Sequence, residues 1–135
     1  MSSPKNMLMI MSDEHQGRAL SCLGHFVDTP NLDRLAAKGT LFTRAYTPSP
    51  ICVPARASFA SGRPVHENRL WDNATPYRGH PKGWGQALQN AGIAVESIGK
   101  LHYSTSDDDN GFDVEHIPMH VVGGHGMVWA SIRDE

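Results

Sequence analysis

The segment Cys52-Val53-Pro54-Ala55-Arg56 combines a thiol with a guanidinium in a setting that favours an anion. Pro54 suits the first turn of a helix and Gly62 suits its end, so we predict a helix beginning near Cys52. A helix N-terminus presents backbone N–H groups and the positive end of the dipole, which suit an anion or a nucleophilic thiolate. Arg56 lies one turn further on the same face and adds a fork-shaped cation for an oxyanion.

Two adjacent acids, Asp13 and Glu14, follow the short apolar run Met7–Met11. Such a run is typical of a strand buried on both faces of a parallel sheet. Acids at the carboxyl end of a central strand lie where open α/β sheets bind ligands, and adjacent carboxylates repel unless they share a hard cation. From the residues alone, a solvated strand end is the competing interpretation.

A second pair of candidate residues, Lys100 and His102, follows the strand predicted over Ala94–Ile98. Residues two apart on an extended strand point to the same side. An ammonium beside an imidazole suits an anionic ester, because the lysine offsets charge and the histidine moves a proton near neutral pH. A surface lysine and a packed histidine are the alternative.

Asn73 lies in the loop segment Trp71-Asp72-Asn73-Ala74. On its own it reads as a turn residue. Its amide N–H₂ would also suit an oxyanion, because it donates without adding charge.

The remaining patterns predict a helix over Thr29–Gly39, a strand over Leu41–Tyr46, a helix over Trp84–Asn90, an irregular loop over Gln16–Asp28 and a solvated turn at Asp107–Gly111. Thr29 fits the N-cap of the first helix and Pro30 its first position. We predict an α/β fold with a mainly parallel sheet flanked by helices, in which Met7–Met11 is central and Ala94–Ile98 lies beside it.

Composition sets broad limits. The chain has 135 residues, 39% of them hydrophobic, which fits one ordinary domain with a core. A net charge of −2 without a basic block gives no reason to expect nucleic acid or a membrane surface as partner. Met7–Met11 is too short for a signal peptide or a membrane span. With only Cys22 and Cys52, a disulfide framework is not expected, and we predict a reducing, cytoplasmic location.

Three segments together resemble the type I sulfatases, the formylglycine-dependent branch of the alkaline phosphatase superfamily. Cys52-x-Pro54-x-Arg56 resembles their modification motif. Gly92–His102 resembles their second signature and retains Gly-Lys-x-His, although Ile, Val and Leu replace its usual Tyr, Thr and Trp. Thr29–Gly39, which precedes both motifs, resembles the "TPNLDRLAxxG" helix that follows the metal-binding strand in that family. The "DNA" segment around Asn73 resembles one found in choline-sulfatase-like and phosphonate monoester hydrolase-like members, where it supplies an asparagine to the substrate's oxyanion.

This resemblance implies a sulfuric ester hydrolase whose Cys52 is oxidised to formylglycine by a separate generating enzyme. It implies a divalent metal, calcium with magnesium or manganese as alternatives, held by Asp13, Glu14 and the residue at Cys52. Glu14 departs from the family, which usually has Asp there. The implied catalytic residues are Cys52, Arg56, Lys100 and His102, and the implied contacts to a small-molecule sulfate ester come from Asn73 and Lys100.

Two other functions stay open. One is a phosphonate monoester or phosphodiester hydrolase of the same superfamily, although those enzymes carry Tyr and Thr where this chain has Lys100 and His102. The other is a non-catalytic fragment that binds metal or anions. The resemblance covers essentially the whole chain, so we expect residues 1–135 to be the N-terminal part of a sulfatase catalytic domain. Later family motifs do not occur in it, so we also expect it to be incomplete as an enzyme and prone to self-association through exposed strand edges.

Overall fold

The computed structural model describes residues 6–121 as parts of two compact units, Met1–Ala45 and Tyr46–Glu135. The first unit contains a 3₁₀ turn, Ser21–Leu23, and helix α1, Pro30–Lys38. The second contains α2, Cys52–Ser61; α3, Val65–Asn68; α4, Trp84–Asn90; β1, Glu96–Lys100; and β2, Val114–Met119. Within residues 6–121, none of the helices has both the length and the apolar character that a membrane crossing requires.

The predicted helix after Thr29 is confirmed as α1, with Pro30 as its first residue. Thr29 occupies the N-cap position, but its hydroxyl does not cap the helix backbone. Instead it accepts from the backbone N–H of Ser21 at 2.9 Å and donates to the Asp33 carboxylate at 2.9 Å. The Ser21 hydroxyl donates to the other oxygen of Asp33 at 2.5 Å. Hydrogen bonds from Ser21, and also from Thr29, hold the pKa of Asp33 below its usual value and tie the 3₁₀ turn to α1.

Two strand predictions before α2 are wrong. Met7–Met11 has no strand hydrogen bonding, and Leu8 and Ile10 are 84% and 85% exposed. Leu41–Tyr46 is likewise irregular and exposed. An apolar run becomes a strand only when a neighbouring strand supplies its hydrogen bonds, and residues 6–45 supply none.

The parallel pairing of the predicted fold is present in the second unit, where β1 pairs with β2. The prediction of a strand over Ala94–Ile98 is confirmed with a shift of two residues, whereas β2 was not predicted. In the ladder, Ile98 lies opposite His116 and Lys100 lies opposite Met119, so β2 carries one extra residue between these pairs. This β-bulge lies immediately before the last pair of the ladder, Lys100 with Met119.

The core of the second unit lies under α2. Ala57 and Ala60 on one face of this helix pack with two buried tyrosines, Tyr77 and Tyr103, whose rings meet edge to face at 5.0 Å. Burial raises the pKa of Tyr103 and also that of Tyr77, whose hydroxyl donates to the Pro81 carbonyl at 2.6 Å. The core therefore fixes the inner face of the helix that begins at Cys52.

Close backbone contacts bring α4 against its neighbours. A Cβ on Gly83 would lie 1.8 Å from the carbonyl oxygen of Ala60, and one on Gly85 would lie 2.4 Å from that of Gly111. Only glycine permits these approaches. The two glycines thereby fix α4 against the end of α2 and against the segment before β2.

The prediction of a solvated turn at Asp107–Gly111 is wrong for its second half. Asn110 and Gly111 are buried, and the Gln86 side chain donates to the Asp109 carbonyl at 2.7 Å. Asp109 also pairs with Lys82 at the surface. The turn is therefore packed against α4, a contact between distant residues that local composition does not encode.

Candidate active site

Cys52 is the first residue of α2, which confirms the predicted helix and the place of the cysteine at its N-terminus. Ile51 precedes it in extended backbone, and the Ala55 N–H donates to the Ile51 carbonyl at 3.0 Å, closing the first turn. Val53 and Pro54 are buried while Cys52 is half-buried. The helix thus enters the core immediately after the cysteine and leaves the thiol near the surface of the unit.

Asn73 contacts the start of this helix. Its Oδ1 accepts a hydrogen bond from the backbone N–H of Val53 at 2.9 Å, across 20 residues of sequence. Asp72 holds the loop in shape, because its Oδ1 accepts from the Ala74 N–H at 2.9 Å. The prediction concerned the N–H₂ end of Asn73, and the contact seen here uses the oxygen end.

Arg56 links the cysteine motif, which begins α2, to the Gly-Lys-x-His motif at the end of β1. Its Nη1 donates to the backbone carbonyl of Lys100, the last residue of β1. The half-buried guanidinium of the cysteine helix is therefore linked directly to the end of the strand that carries Lys100.

His102 is placed by a turn rather than by a strand. Its backbone N–H donates to the Met119 carbonyl at 2.8 Å, but its φ is +59°, in the left-handed region, and β1 has ended two residues earlier. Simple strand alternation therefore does not relate Lys100 to His102, because the backbone has positive φ at Gly99 and at His102. Both residues nevertheless lie in the short half-buried segment at the end of β1.

The predicted metal ligands Asp13 and Glu14 lie in the first unit, and both are exposed. Glu14 has a φ of +55°, a left-handed conformation at a position without glycine. Across residues 6–121, no group of three or more His, Cys, Asp or Glu side chains is arranged to hold a metal ion. Two carboxylates are the oxygen donors that calcium or magnesium prefers, so the donor type fits such an ion, although calcium takes about six to eight oxygens.

A polar cluster that the sequence did not indicate lies at β2. The Glu115 carboxylate accepts from Ser106 Oγ at 2.6 Å and from Asn110 Nδ2 and His120 Nε2, each at 2.9 Å. Burial pushes the pKa of Glu115 upward, but these hydrogen bonds outweigh burial and hold the pKa below its usual value. The cluster ties the 105–110 loop to β2, and we assign it a structural role.

Solved structures of other proteins share this arrangement of helices and parallel strands. One, in complex with its substrate D-glucosamine-2-N,6-O-disulfate, superposes with a TM-score of 0.70 at 36% identity, covering 76% of this chain and 21% of that one. The phosphonate monoester hydrolase of Agrobacterium radiobacter superposes with a TM-score of 0.66 at 26% identity, covering 89% of this chain and 26% of the other. The predicted class is confirmed as an α/β fold of the alkaline phosphatase and sulfatase type.

The chain belongs to the sulfatase family, whose model, Sulfatase, matches residues 5–131. It is 36% identical over 109 residues to the N-acetylglucosamine-6-O-sulfatase of Bacteroides thetaiotaomicron, covering 80% of this chain and 19% of the relative. The choline-sulfatase of Rhizobium meliloti is also 36% identical over 109 residues, with 80% and 21% covered, and the arylsulfatase K of Danio rerio is 36% identical over 101 residues, with 74% and 19% covered. The chain thus spans about a fifth of the length of these relatives.

Proposed function

We propose that the protein is a sulfuric ester hydrolase whose substrate is a small-molecule sulfate ester. The observation that carries this proposal is the hydrogen bond from Arg56 to the Lys100 carbonyl, which links the cysteine motif to the Gly-Lys-x-His motif. A positive helix end, a guanidinium and an ammonium in one unit suit a doubly anionic transition state. The names of the relatives, which include sugar and choline sulfatases, support the class without specifying the alcohol.

In this proposal each residue has a separate task. Arg56 stabilises negative charge that develops at the N-terminus of α2. Lys100 binds and offsets the charge of the sulfate group. His102 moves a proton through an imidazole nitrogen near neutral pH, and the Asn73 amide donates to a sulfate oxygen.

Two groups complete the proposed chemistry. We propose that Cys52 is converted to formylglycine by a separate generating enzyme, which supplies an aldehyde whose hydrate is a better catalyst than a thiol. We also propose that Asp13, Glu14 and the residue at position 52 hold a divalent metal, calcium in the first place, with magnesium or manganese as alternatives. Such an ion, when bound, makes a coordinated hydroxyl more acidic.

Phosphonate monoester or phosphodiester hydrolysis is the second candidate, because a phosphonate monoester hydrolase is among the structural neighbours. Phosphorus esters need the same anion-binding groups, so the helix end and Arg56 do not separate the two. Lys100 and His102 do favour the sulfatase, since the resemblance places Tyr and Thr at these positions in phosphonate hydrolases.

For location, we propose a reducing compartment, the cytoplasm. Support comes from the two cysteines, neither of which forms a disulfide. Fractionation of the producing cells, with the protein recovered outside the cytoplasm, would contradict this proposal.

The modification is tested first, by intact mass after co-expression with a formylglycine-generating enzyme. We expect the chain to lose the mass that corresponds to conversion of one thiol to an aldehyde. The loss should persist in Cys22→Ala and disappear in Cys52→Ala. A mass that stays unchanged in the wild-type chain would remove formylglycine from the proposal.

The reaction class is tested by binding and turnover on the modified chain. We expect an alkyl sulfate to bind more tightly than the matched phosphonate monoester, and we expect Lys100→Ala to weaken sulfate binding about tenfold or more, as loss of a charge-assisted contact does. Lys82→Ala, which removes a surface lysine paired with Asp109, should leave binding unchanged. Equal binding by wild type and Lys100→Ala, or a preference for the phosphonate, would contradict the sulfatase function.

We expect residues 1–135 alone not to hydrolyse an aryl sulfate at a useful rate, so that the wild-type chain is no faster than Lys100→Ala. Two carboxylates and the residue at position 52 fill only part of the calcium shell. Metal-dependent hydrolysis that Lys100→Ala abolishes would support the reaction and contradict the predicted incompleteness.

A further inference from the structure

Helix α2 begins without a cap of its own. Its N-cap residue is Ile51, whose apolar side chain accepts no hydrogen bond, and its third position is Pro54, which has no N–H. The Ala55 N–H is already bonded to the Ile51 carbonyl. The N–H groups of Cys52 and Val53 therefore remain as the donors of the first turn that need partners from elsewhere.

Asn73 supplies one of these partners from the loop between α3 and α4. Its Oδ1 lies 2.9 Å from the Val53 nitrogen. Val53 is only 1% exposed, so water does not readily replace this acceptor. Because a backbone N–H only donates, the bonded atom must be the amide oxygen, which fixes the orientation of the Asn73 side chain.

We propose that Asn73 is a positioning residue for Cys52 that acts by capping α2 through the Val53 N–H. The cap holds the first turn closed, so that the residue at position 52 stays where the helix end is positive. With its oxygen engaged, Asn73 presents its N–H₂ as the end that faces an anion. Only this last consequence rests on the proposed function, because the cap exists whatever the chain binds.

Three variants separate the two ends of the amide. Asn73→Ala removes both the acceptor and the donor. Asn73→Asp keeps an oxygen to accept from Val53 but replaces the N–H₂ with a second carboxylate oxygen. Asp72→Asn is the matched control, because it changes a charge in the same loop yet keeps the oxygen that accepts from Ala74.

Amide hydrogen exchange at Val53, measured by NMR on the full chain, reports the cap directly. We expect exchange to be about tenfold faster in Asn73→Ala, and within about twofold of wild type in Asn73→Asp and Asp72→Asn. If Asn73→Ala exchanges as slowly as wild type, or if Asn73→Asp exchanges as fast as Asn73→Ala, the capping role is overturned. Far-UV circular dichroism of each variant identifies general unfolding, and in that case Asn73→Ser, with a shorter acceptor, replaces Asn73→Ala.

The positioning of Cys52 needs its own readout, for which we choose alkylation of Cys52 in a Cys22→Ala background. The ratio of the rates with iodoacetate and iodoacetamide cancels the thiolate fraction and the access to the thiol, and reports the local electrostatic potential. We expect the ratio to fall several-fold in Asn73→Asp, since a carboxylate then lies beside the helix end, and not to fall in Asp72→Asn. An unchanged ratio in Asn73→Asp would overturn the positioning role.

The outcome is independent of the sulfatase assay. Retained Val53 protection and a lowered alkylation ratio in Asn73→Asp, without any binding of alkyl sulfate by the wild-type chain, would uphold this inference and reject the proposed function. Sulfate binding that depends on Lys100, with no change at Val53 in Asn73→Ala, would do the reverse.

Discussion

Arg56 supports the candidate site in two ways, through its charge and through a hydrogen bond to the backbone of Lys100. Its Nη1 contacts the Lys100 carbonyl, so its side chain fixes the end of β1 relative to the cysteine helix. A planar fork with several donors can bond a carbonyl and still present N–H groups elsewhere, whereas a lysine ammonium offers one centre of charge.

We therefore predict that Arg56→Lys destabilises the second unit by about 1–2 kcal/mol although it keeps the charge, because a hydrogen bond from a charged donor to a half-buried carbonyl is lost. Arg63→Lys is the control. Arg63 is exposed, and its Nη1 lies 4.0 Å from Glu67 Oε2, a long and weak ion pair, so this variant should change stability by less than about 0.5 kcal/mol. Urea denaturation measures both variants. Equal stability of wild type and Arg56→Lys would show that the contact contributes nothing.

Glu115 gives the second residue-scale prediction, which concerns pH. Because the pKa of its carboxyl is lowered in the folded chain, its contribution to stability is present above the unfolded value of 4.5 and is lost as pH falls from there through the folded pKa. Glu115→Gln should cost about 1–3 kcal/mol at pH 7, since an amide leaves buried donors poorly paired. Thermal denaturation is measured between about pH 3 and pH 7, the range in which carboxyl groups titrate. The stability of Glu115→Gln should depend less on pH than that of His120→Gln, which keeps the carboxylate. If Glu115→Gln shows the same pH dependence of stability as wild type, the loss of stability in acid comes from other groups.

The sequence indicated the candidate side chains but not their partners. Cys52 and Arg56 could be placed because proline and glycine mark the limits of the helix locally. The contacts of Asn73 with Val53 and of Arg56 with Lys100 span 20 and 44 residues, and no local pattern encodes such distances. The catalytic and binding roles of these residues remain predictions.

At the scale of elements, the packing of α4 depends on two glycines at close backbone approaches. Gly83 has φ −126°, which any residue adopts, so only the contact with the Ala60 carbonyl demands glycine there. Gly62, which follows α2, is the opposite case: its φ is +68°, and nothing lies within 4 Å of the position that a Cβ would occupy.

These two positions separate steric clash from backbone strain. We predict that Gly83→Ala destabilises the second unit by about 3 kcal/mol, because backbone must move to admit a methyl group. Gly62→Ala should cost only about 1–2 kcal/mol, the cost of the left-handed conformation. Chemical denaturation of both variants compares them, and a smaller cost at Gly83 than at Gly62 would contradict the close approach.

The elements also show which predictions sequence supports. α1, α2 and α4 were predicted because caps, prolines and terminal glycines act within one turn. β1 was predicted from its apolar run. β2 was not predicted, because its Glu, His and Pro residues are typical of a loop and it becomes a strand only through its hydrogen bonds with β1. Met7–Met11 failed for the same reason in reverse: the run is strand-like, but no partner lies within residues 6–45.

At the scale of the whole molecule, the chain divides into two compact units that meet in sequence at Ala45 and Tyr46. The segment that crosses this boundary, Leu41–Tyr46, is exposed and irregular, and it contains Arg44. Composition could not predict this division, because both sides of the boundary have ordinary loop and helix sequences.

We predict that trypsin first cleaves after Arg44, since exposed irregular backbone is cut before helical backbone. The product that begins at Ala45 should keep the Val53 exchange protection of the full chain, because Asn73 lies within it. Arg44→Gln should remove this early cut, which mass spectrometry of the fragments detects. First cleavage within α2, at Arg56, would show instead that the cysteine helix opens more easily than the boundary.

The pairing of β1 with β2 has a consequence for how the chain folds. Parallel strands are ordinarily joined by long crossovers, which makes their pairing a late and slow step. Here Glu96 pairs with Val114, only 18 positions away, and the connection contains no helix. The entropic cost of closing a loop of n residues grows only as about (3/2)RT ln n. Bringing β1 and β2 together therefore costs little more than closing a long hairpin. The strand that carries Lys100 can therefore acquire its neighbour early, before the cysteine helix docks against it through Arg56.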